Sequence, residues 1–89
     1  MPLEILSSPS KPDDLVNELT AAITAALPEA NVAVRGSGAG HFEIRVISAS
    51  FEGQSRVAQQ QSVYAAIAHL MKGSAAPVHA IDKLETVTP

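Results

Sequence analysis

The stretch FEGQSRVAQQQSVY (51–64) joins a segment of strand periodicity to one of helix periodicity, and this junction limits the folds open to the chain. Residues 41–50 alternate between apolar and polar side chains, whereas residues 63–71 repeat every three to four positions. Gly53 supplies backbone freedom for a corner, and Ser55 is placed to cap the following helix. The pattern predicts a short helix leading into a longer one, with a shared buried face: Val57, Val63, Ile67, Leu70 and Met71.

The first third of the chain predicts a leader and a helix. Residues 1–10 are expected to form a flexible leader, and residues 11–89 a single domain. Ser10 or Lys11 caps the predicted helix, and Pro28 ends it. Its apolar stripe consists of Leu15, Leu19, Ala22, Ile23, Ala26 and Leu27.

Three strands are predicted in the remainder. Residues 31–35 and 41–48 alternate in polarity and predict an antiparallel hairpin around a flexible glycine-rich connector at 36–40. Residues 78–87 predict the third strand. The order α-β-β-α-α-β therefore predicts an α/β (α+β) domain with a three-stranded mixed sheet and helices packed on one face.

The third strand contains an irregularity. Ile81 and Leu84 are three positions apart, so an unbroken strand would place them on opposite faces. A β-bulge near Asp82 and Lys83 would return both to the core.

Composition excludes several kinds of function. The chain has no cysteine, and therefore no disulfide, thiol nucleophile or thiolate ligand of its own. Its net charge of −3 argues against strong nonspecific binding to a phosphate backbone. No nucleophile–base pair or carboxylate dyad is visible, which predicts that the protein is not an enzyme. It has neither an apolar run of membrane-spanning length nor a basic amino-terminal region, so a cytoplasmic protein is expected.

Two of the three histidines are candidates for metal binding. His69 falls on the outer face of the long helix, where a solvated side chain is expected. His41 lies where the glycine connector meets the second strand, and His79 opens the third strand. Both can lie near loop ends of the sheet, where a neutral imidazole can bind a metal. On spacing alone, such residues are more often ordinary strand-end histidines than ligands, since few other ligands are in view.

Several fragments, in this order and spacing, resemble the BolA family, and the RVxxQQxVY run (56–64) resembles its IbaG-like branch. The resemblance covers about residues 13–89 and rests on these fragments: HFEIRVIS (41–48), FxGxSRV (51–57), QQxVY (60–64), VHAI (78–81) and TxTP (86–89).

The resemblance implies a domain related to the type II KH arrangement. It also implies partnership with a monothiol glutaredoxin in iron–sulfur trafficking, with a [2Fe–2S] cluster shared between the two proteins and glutathione. His79 matches the family's cluster-ligand histidine, and His41 matches its second candidate ligand. Because [2Fe–2S] centres are held mostly by thiolates, a chain without cysteine is expected to bind no cluster alone.

A second interpretation is a transcriptional regulator that binds DNA, a role described for some members of the family. It would use a helix-turn-helix-like corner at residues 54–61, and the Gln59–Gln61 run, where BolA itself has two cations, weakens it. A third interpretation is a small dimer-forming domain without a site, and the choice between monomer and homodimer stays open. The candidate nucleic-acid contacts are Arg56, Gln59, Gln60, Arg45 and Lys72, with Lys83 as a helper.

Overall fold

The computed structural model describes residues 12–73 and 76–89 and contains two helices and three strands. The predicted leader and the predicted cap at Ser10 or Lys11 lie outside the described residues. Neither helix is long and apolar enough to cross a membrane. The elements in chain order are α1 (Pro12–Ala26), β1 (Asn31–Gly38), β2 (His41–Ile47), a 3₁₀ turn (Ala49–Phe51), α2 (Arg56–Met71) and β3 (Ala80–Val87).

The strands form one mixed sheet in the order β1-β2-β3. β1 and β2 are an antiparallel hairpin, whereas β2 and β3 run parallel and are connected by α2. A parallel pair needs such a crossover, because the chain must return to the end at which the first strand began. The predicted fold class is therefore confirmed.

Both helices cover the same face of the sheet. β2 alternates, so that Phe42, Ile44 and Val46 are buried while Arg45 faces the open side. α1 packs over β1, α2 packs over β3, and the helices contact each other. Full burial of each large apolar side chain stabilises the fold by roughly 1.5–3 kcal/mol. The helical part of the core consists of Leu15, Leu19 and Ile23 from α1 and Val63, Ile67 and Leu70 from α2.

The predicted pair of helices after the corner is wrong, because Arg56–Met71 is one continuous helix. The glutamine run contains no helix breaker, and the short helical element is instead the 3₁₀ turn before the corner. Two expected features are confirmed: Ser55 accepts from the Ala58 amide at 3.1 Å, and Gly53 has a φ of +80°. At the other end, Gly73 terminates α2 with a φ of +85°.

Two members of the predicted apolar faces are in fact exposed. Val57 is 62% exposed, because the first turn of α2 projects past the core. Ala26, in the last turn of α1, is also exposed.

The glycine-rich segment is more ordered than predicted. β1 continues to Gly38, with a bulge at Ser37, and only Ala39 and Gly40 form the turn to β2. His41 begins β2, as predicted, and the turn before it is only two residues long.

The bulge predicted in the third strand is confirmed. Phe42 pairs with Ile81, but the next residue of β2 pairs with Lys83, so Asp82 is the extra residue. Ile81 and Leu84 consequently both pack against the core. The strand begins at Ala80, later than predicted, while Val78 is buried in the core just before it.

A carboxylate fastens the α1–β1 loop to the segment after β2. Glu29 accepts hydrogen bonds from Ser48 Oγ at 2.9 Å, from the Ala49 amide at 3.0 Å and from Ser50 Oγ at 3.1 Å. These donors, with Ser48 foremost, lower the pKa of Glu29 below its ordinary value. The hydrogen bonds therefore stabilise the ionised form of the Glu29 carboxylate in the folded state.

Candidate functional site

The turn between β1 and β2 lies against the start of β3 and brings His41 and His79 to the same edge of the sheet. The carbonyl oxygen of Gly40 accepts from the amide of His79 at 2.8 Å and from the amide of Ala80 at 3.1 Å. His41, the next residue after Gly40, pairs with Ala80 in the parallel ladder. One carbonyl thus joins the turn before His41 to the backbone of His79.

The His79 ring rests on the backbone of Gly40. A Cβ atom built at Gly40 would lie 2.9 Å from Cγ and 3.1 Å from Cδ2 of His79, closer than real Cβ atoms approach neighbouring atoms. Gly40 also has a φ of +74°, in the left-handed region that disfavours other residues. This position therefore requires glycine for two reasons: the positive φ of the turn, and the close packing of the His79 ring against the backbone.

The His41 ring is oriented by a carboxylate. Its Nδ1 lies 3.0 Å from Oδ1 of Asp82, while Oδ2 of Asp82 accepts from Ser37 Oγ at 2.8 Å. The two bulges meet here, because Ser37 is the extra residue of β1 and Asp82 is the extra residue of β3. A bulge redirects its side chain, and these two side chains converge beside His41.

The contacts of Asp82 define the chemistry of the His41 ring. Hydrogen bonds from His41 and then from Ser37 lower the pKa of Asp82, which favours the ionised carboxylate. An ionised carboxylate can only accept, so Nδ1 of His41 carries the proton and donates. In the neutral ring the lone pair is then on Nε2. Metal-binding histidines commonly have this arrangement, with a carboxylate holding the nitrogen that does not bind the metal.

The site is open to a partner. His79 is exposed, and the His41 side chain is 45% exposed. Beside His79 is a shallow, open cavity of about 250 Å³, lined by Met71, Gly73, Ala76 and Val78 together with His79. A macromolecule could reach both rings without rearrangement of the core.

The described part of the chain places two imidazoles at this edge of the sheet but offers no complete ligand set for a metal. In the described residues, no group of three or more His, Cys, Asp or Glu side chains could hold a metal ion. Two imidazole nitrogens fit the role of partial donors, as in Rieske-like centres, where histidines replace two of the four thiolates. For a centre of that kind, the other ligands would have to come from outside the described residues.

The structure places the two predicted metal ligands at the same edge of the sheet and leaves His69 exposed on α2, as expected. Two participants in the site, Gly40 and Asp82, were not predicted as functional residues. The bulge was a usable signal for Asp82, since an extra acidic residue in an alternating strand must project in an irregular direction. For Gly40, the sequence carried no signal beyond the general preference of turns for glycine.

The predicted nucleic-acid contacts are not gathered on one surface. Residues 54–61 form a cap and the first turns of α2, not a helix-turn-helix corner. Gln59 is occupied internally: its Nε2 donates to the carbonyls of Phe51 and Gln54, and its Oε1 accepts from Thr86.

The cations among these residues are dispersed. Arg45 lies on the open sheet face, 3.8 Å from Glu85. Arg56 and Lys72 are at opposite ends of α2, about 24 Å apart at 1.5 Å per residue. Gln60 is half-buried between them.

Comparisons with known proteins agree with this architecture. The family model described as BolA-like protein matches residues 18–89. The chain is 42% identical over 65 residues to an uncharacterized protein in the rpoN-murA intergenic region of Acinetobacter guillouiae, covering 72% of this chain and 74% of that protein.

Solved structures share the fold. A bolA protein homologue from Coxiella burnetii is 31% identical, with a TM-score of 0.66 over 82% of this chain and 88% of that one. The BolA domain of SufE1 from Arabidopsis thaliana superposes with a TM-score of 0.68 over 84% of this chain and 92% of that domain. At 22% identity, it supports the fold alone. From the family model, the relatives and the fold together, the chain belongs to the BolA-like protein family.

Proposed function

We propose that this chain is a non-enzymatic adaptor that pairs with a monothiol glutaredoxin and shares a [2Fe–2S] cluster with it in iron–sulfur trafficking. In this proposal, His79 is the principal imidazole ligand and His41 the second. A cytoplasmic location goes with this role.

The observation that supports the proposal is that Gly40 joins the turn before His41 to the segment that carries His79. The carbonyl oxygen of Gly40 accepts from the amide of His79, and the His79 ring packs against the Gly40 backbone. The ring of the next residue, His41, donates through Nδ1 to Asp82. Placing two exposed imidazoles with restrained rings at one sheet edge favours coordination, since little rotamer freedom remains to be lost.

The absence of cysteine determines what the partner must bring. A bound cluster would supply an iron–sulfur centre for transfer, and its thiolates would come from the glutaredoxin and glutathione. This chain's own residues would contribute imidazole nitrogen, and the apolar side chains of Met71 and Val78 beside His79 would limit access of water.

The test is reconstitution of the complex from this chain, a monothiol glutaredoxin, glutathione, iron and sulfide, followed by visible absorption and circular dichroism. We expect His79→Ala to abolish the spectrum of the mixed complex while the cluster-free proteins still associate. His41→Ala should give a less stable cluster or an altered spectrum, because one nitrogen donor is lost while His79 remains.

His69→Ala is the matched control, since His69 is an exposed histidine on α2 outside the site. It should leave both the spectrum and the association unchanged. A wild-type spectrum from His79→Ala would refute the ligand role of His79. Failure of the wild-type chain to bind the glutaredoxin at all would refute the adaptor function.

A further inference from the structure

Helix α2 carries a second stripe of side chains besides the one buried in the core. Its members alternate at spacings of four and three residues, which keeps them on one side of a helix. Val57 is 62% and Tyr64 39% exposed, and these two are the exposed large hydrophobic residues of the described chain. We call this set the α2 stripe: Val57, Gln61, Tyr64, Ala68 and Met71.

The α2 stripe is uncharged, and cations flank it. α2 contains no acidic residue, although the chain carries a net charge of −3. Arg56 directly precedes the stripe and Lys72 directly follows it; both are exposed. Among the described residues, neither has a carboxylate within 4.0 Å, whereas Arg35 and Arg45 on the open sheet face each have one. A partner surface that complements the α2 stripe would therefore be apolar at its centre, with carboxylates at both ends to pair with Arg56 and Lys72.

The carboxyl-terminal end of the α2 stripe lies next to His79. Met71, its last member, also lines the cavity beside His79. From Val57 to Met71 the stripe extends about 21 Å along the helix, at 1.5 Å per residue. A protein lying along it would reach from the first turn of α2 to the imidazole.

We propose that the α2 stripe is the docking surface for the thiol-donating partner, which would contact Val57 and Tyr64 and place its thiolate over His79. This inference rests on the proposed function. Protein interfaces are depleted of charge at their centres and enriched in aromatic residues and methionine, as the stripe is. The partner's contact surface is apolar and bounded by acidic side chains that meet Arg56 and Lys72.

A second copy of this chain would fit the α2 stripe less well than the thiol-donating partner does. Antiparallel pairing of two stripes would set Arg56 beside Lys72 of the other copy, and parallel pairing would set like cations together. Like charges in close apposition oppose association.

The test measures binding of the cluster-free chain to a monothiol glutaredoxin by calorimetry. Val57→Glu and Tyr64→Glu should each weaken the Kd at least about tenfold, because a carboxylate would be buried in the interface. Arg56→Glu and Lys72→Glu should also weaken binding, with an effect that shrinks as salt is added. Thermal melts establish that each variant is folded, as expected for substitutions at exposed positions.

His69→Glu is the matched control. It places the same carboxylate on the same helix at an exposed position, five residues after Tyr64 and about 140° around the helix. Its Kd should remain within about twofold of wild type. Equal weakening by His69→Glu would show that a negative charge anywhere on α2 weakens binding, and would overturn the assignment.

The outcomes separate this inference from the function on which it rests. If Val57→Glu and Tyr64→Glu bind like wild type while His79→Ala loses the cluster spectrum, the docking surface is wrong and the adaptor function stands. If they lose affinity while wild type assembles no cluster, the surface stands and cluster sharing fails. If Tyr64→Glu instead changes only the sedimentation of the chain alone, a second copy covers the stripe and the inference is overturned.

Discussion

Gly40 and His79 are packed so closely that a Cβ atom on Gly40 would lie 2.9 Å from Cγ of the imidazole. The contact joins the tip of the β1–β2 hairpin to the residue before β3. Any side chain at position 40 must therefore displace the ring, move the hairpin, or both.

Gly40→Ala should disturb the His79 ring as well as the turn. The φ of +74° costs an alanine about 1–2 kcal/mol, and the clash adds to it. Gly53→Ala is the matched control, because Gly53 has a φ of +80° but open space around its Cα. We expect both variants to lose stability in urea unfolding, and Gly40→Ala alone to shift the ring resonances of His79 in NMR spectra. Unchanged His79 resonances in Gly40→Ala would contradict the contact.

Deletion of Asp82 should leave the fold intact and free the His41 ring. Without the bulged residue, Ile81 and Lys83 would be consecutive and could keep their partners Phe42 and Glu43 in an unbroken ladder. His41 would lose its carboxylate contact, as it would in Asp82→Ala, which keeps the bulge. Two-dimensional NMR should show native-like core shifts in both variants and altered His41 ring shifts. A deletion variant that no longer unfolds cooperatively would show that the bulge is needed for folding.

The Glu29 contacts should contribute stability at neutral pH that is lost in acid. Its pKa is lowered in the folded state, chiefly by Ser48, from an ordinary value of 4.5. The contribution is therefore fully present above that value and disappears as the pH falls through the lower folded pKa. Free energies of unfolding for wild type and Glu29→Gln should differ at pH 7 and converge as the pH falls below 4.5. The exposed Glu18→Gln, on α1, is the control and should follow wild type; a constant gap for Glu29→Gln would contradict this account.

DNA affinity should be weak, because the candidate cations are divided between the open sheet face and the two ends of α2. Binding of a duplex in titrations should fall steeply as salt rises, as expected for phosphate contacts without base readout. At ~150 mM salt we expect a Kd far weaker than the 10⁻⁸–10⁻¹¹ M of specific regulators. Nanomolar binding under these conditions, abolished by Arg56→Ala, would restore the nucleic-acid interpretation.

The sheet, the caps and the bulge could be predicted from the sequence because each depends on local rules. Alternation in residues 41–48 identifies β2, Ser55 is a typical helix cap, and the three-residue spacing of Ile81 and Leu84 is incompatible with a regular strand. These signals span a few residues, and tertiary packing did not override them.

The predictions that were wrong depended on contacts between distant segments. Val57 lies at the correct spacing for the core, but in the first turn of α2 it stays 62% exposed, since none of the described helices and strands covers it. Gln59, in the glutamine run where a joint was predicted, is held by hydrogen bonds with Phe51 and Thr86 that periodicity does not reveal. Likewise, periodicity alone cannot identify Asp82 as the partner of His41, because that contact exists only once two bulges from β1 and β3 meet beside β2.

The parallel pairing of β2 with β3 makes the relative position of the two imidazoles a property of the folded state alone. His41 begins β2, whereas His79 arrives only after α2 has crossed the sheet, so the unfolded chain holds no such pair. A ligand that engages both rings binds the native state and not the unfolded ensemble. By linkage, it must raise the melting temperature in proportion to the logarithm of its concentration, once that concentration exceeds the Kd. Thermal stability of this domain is then itself a readout of occupancy.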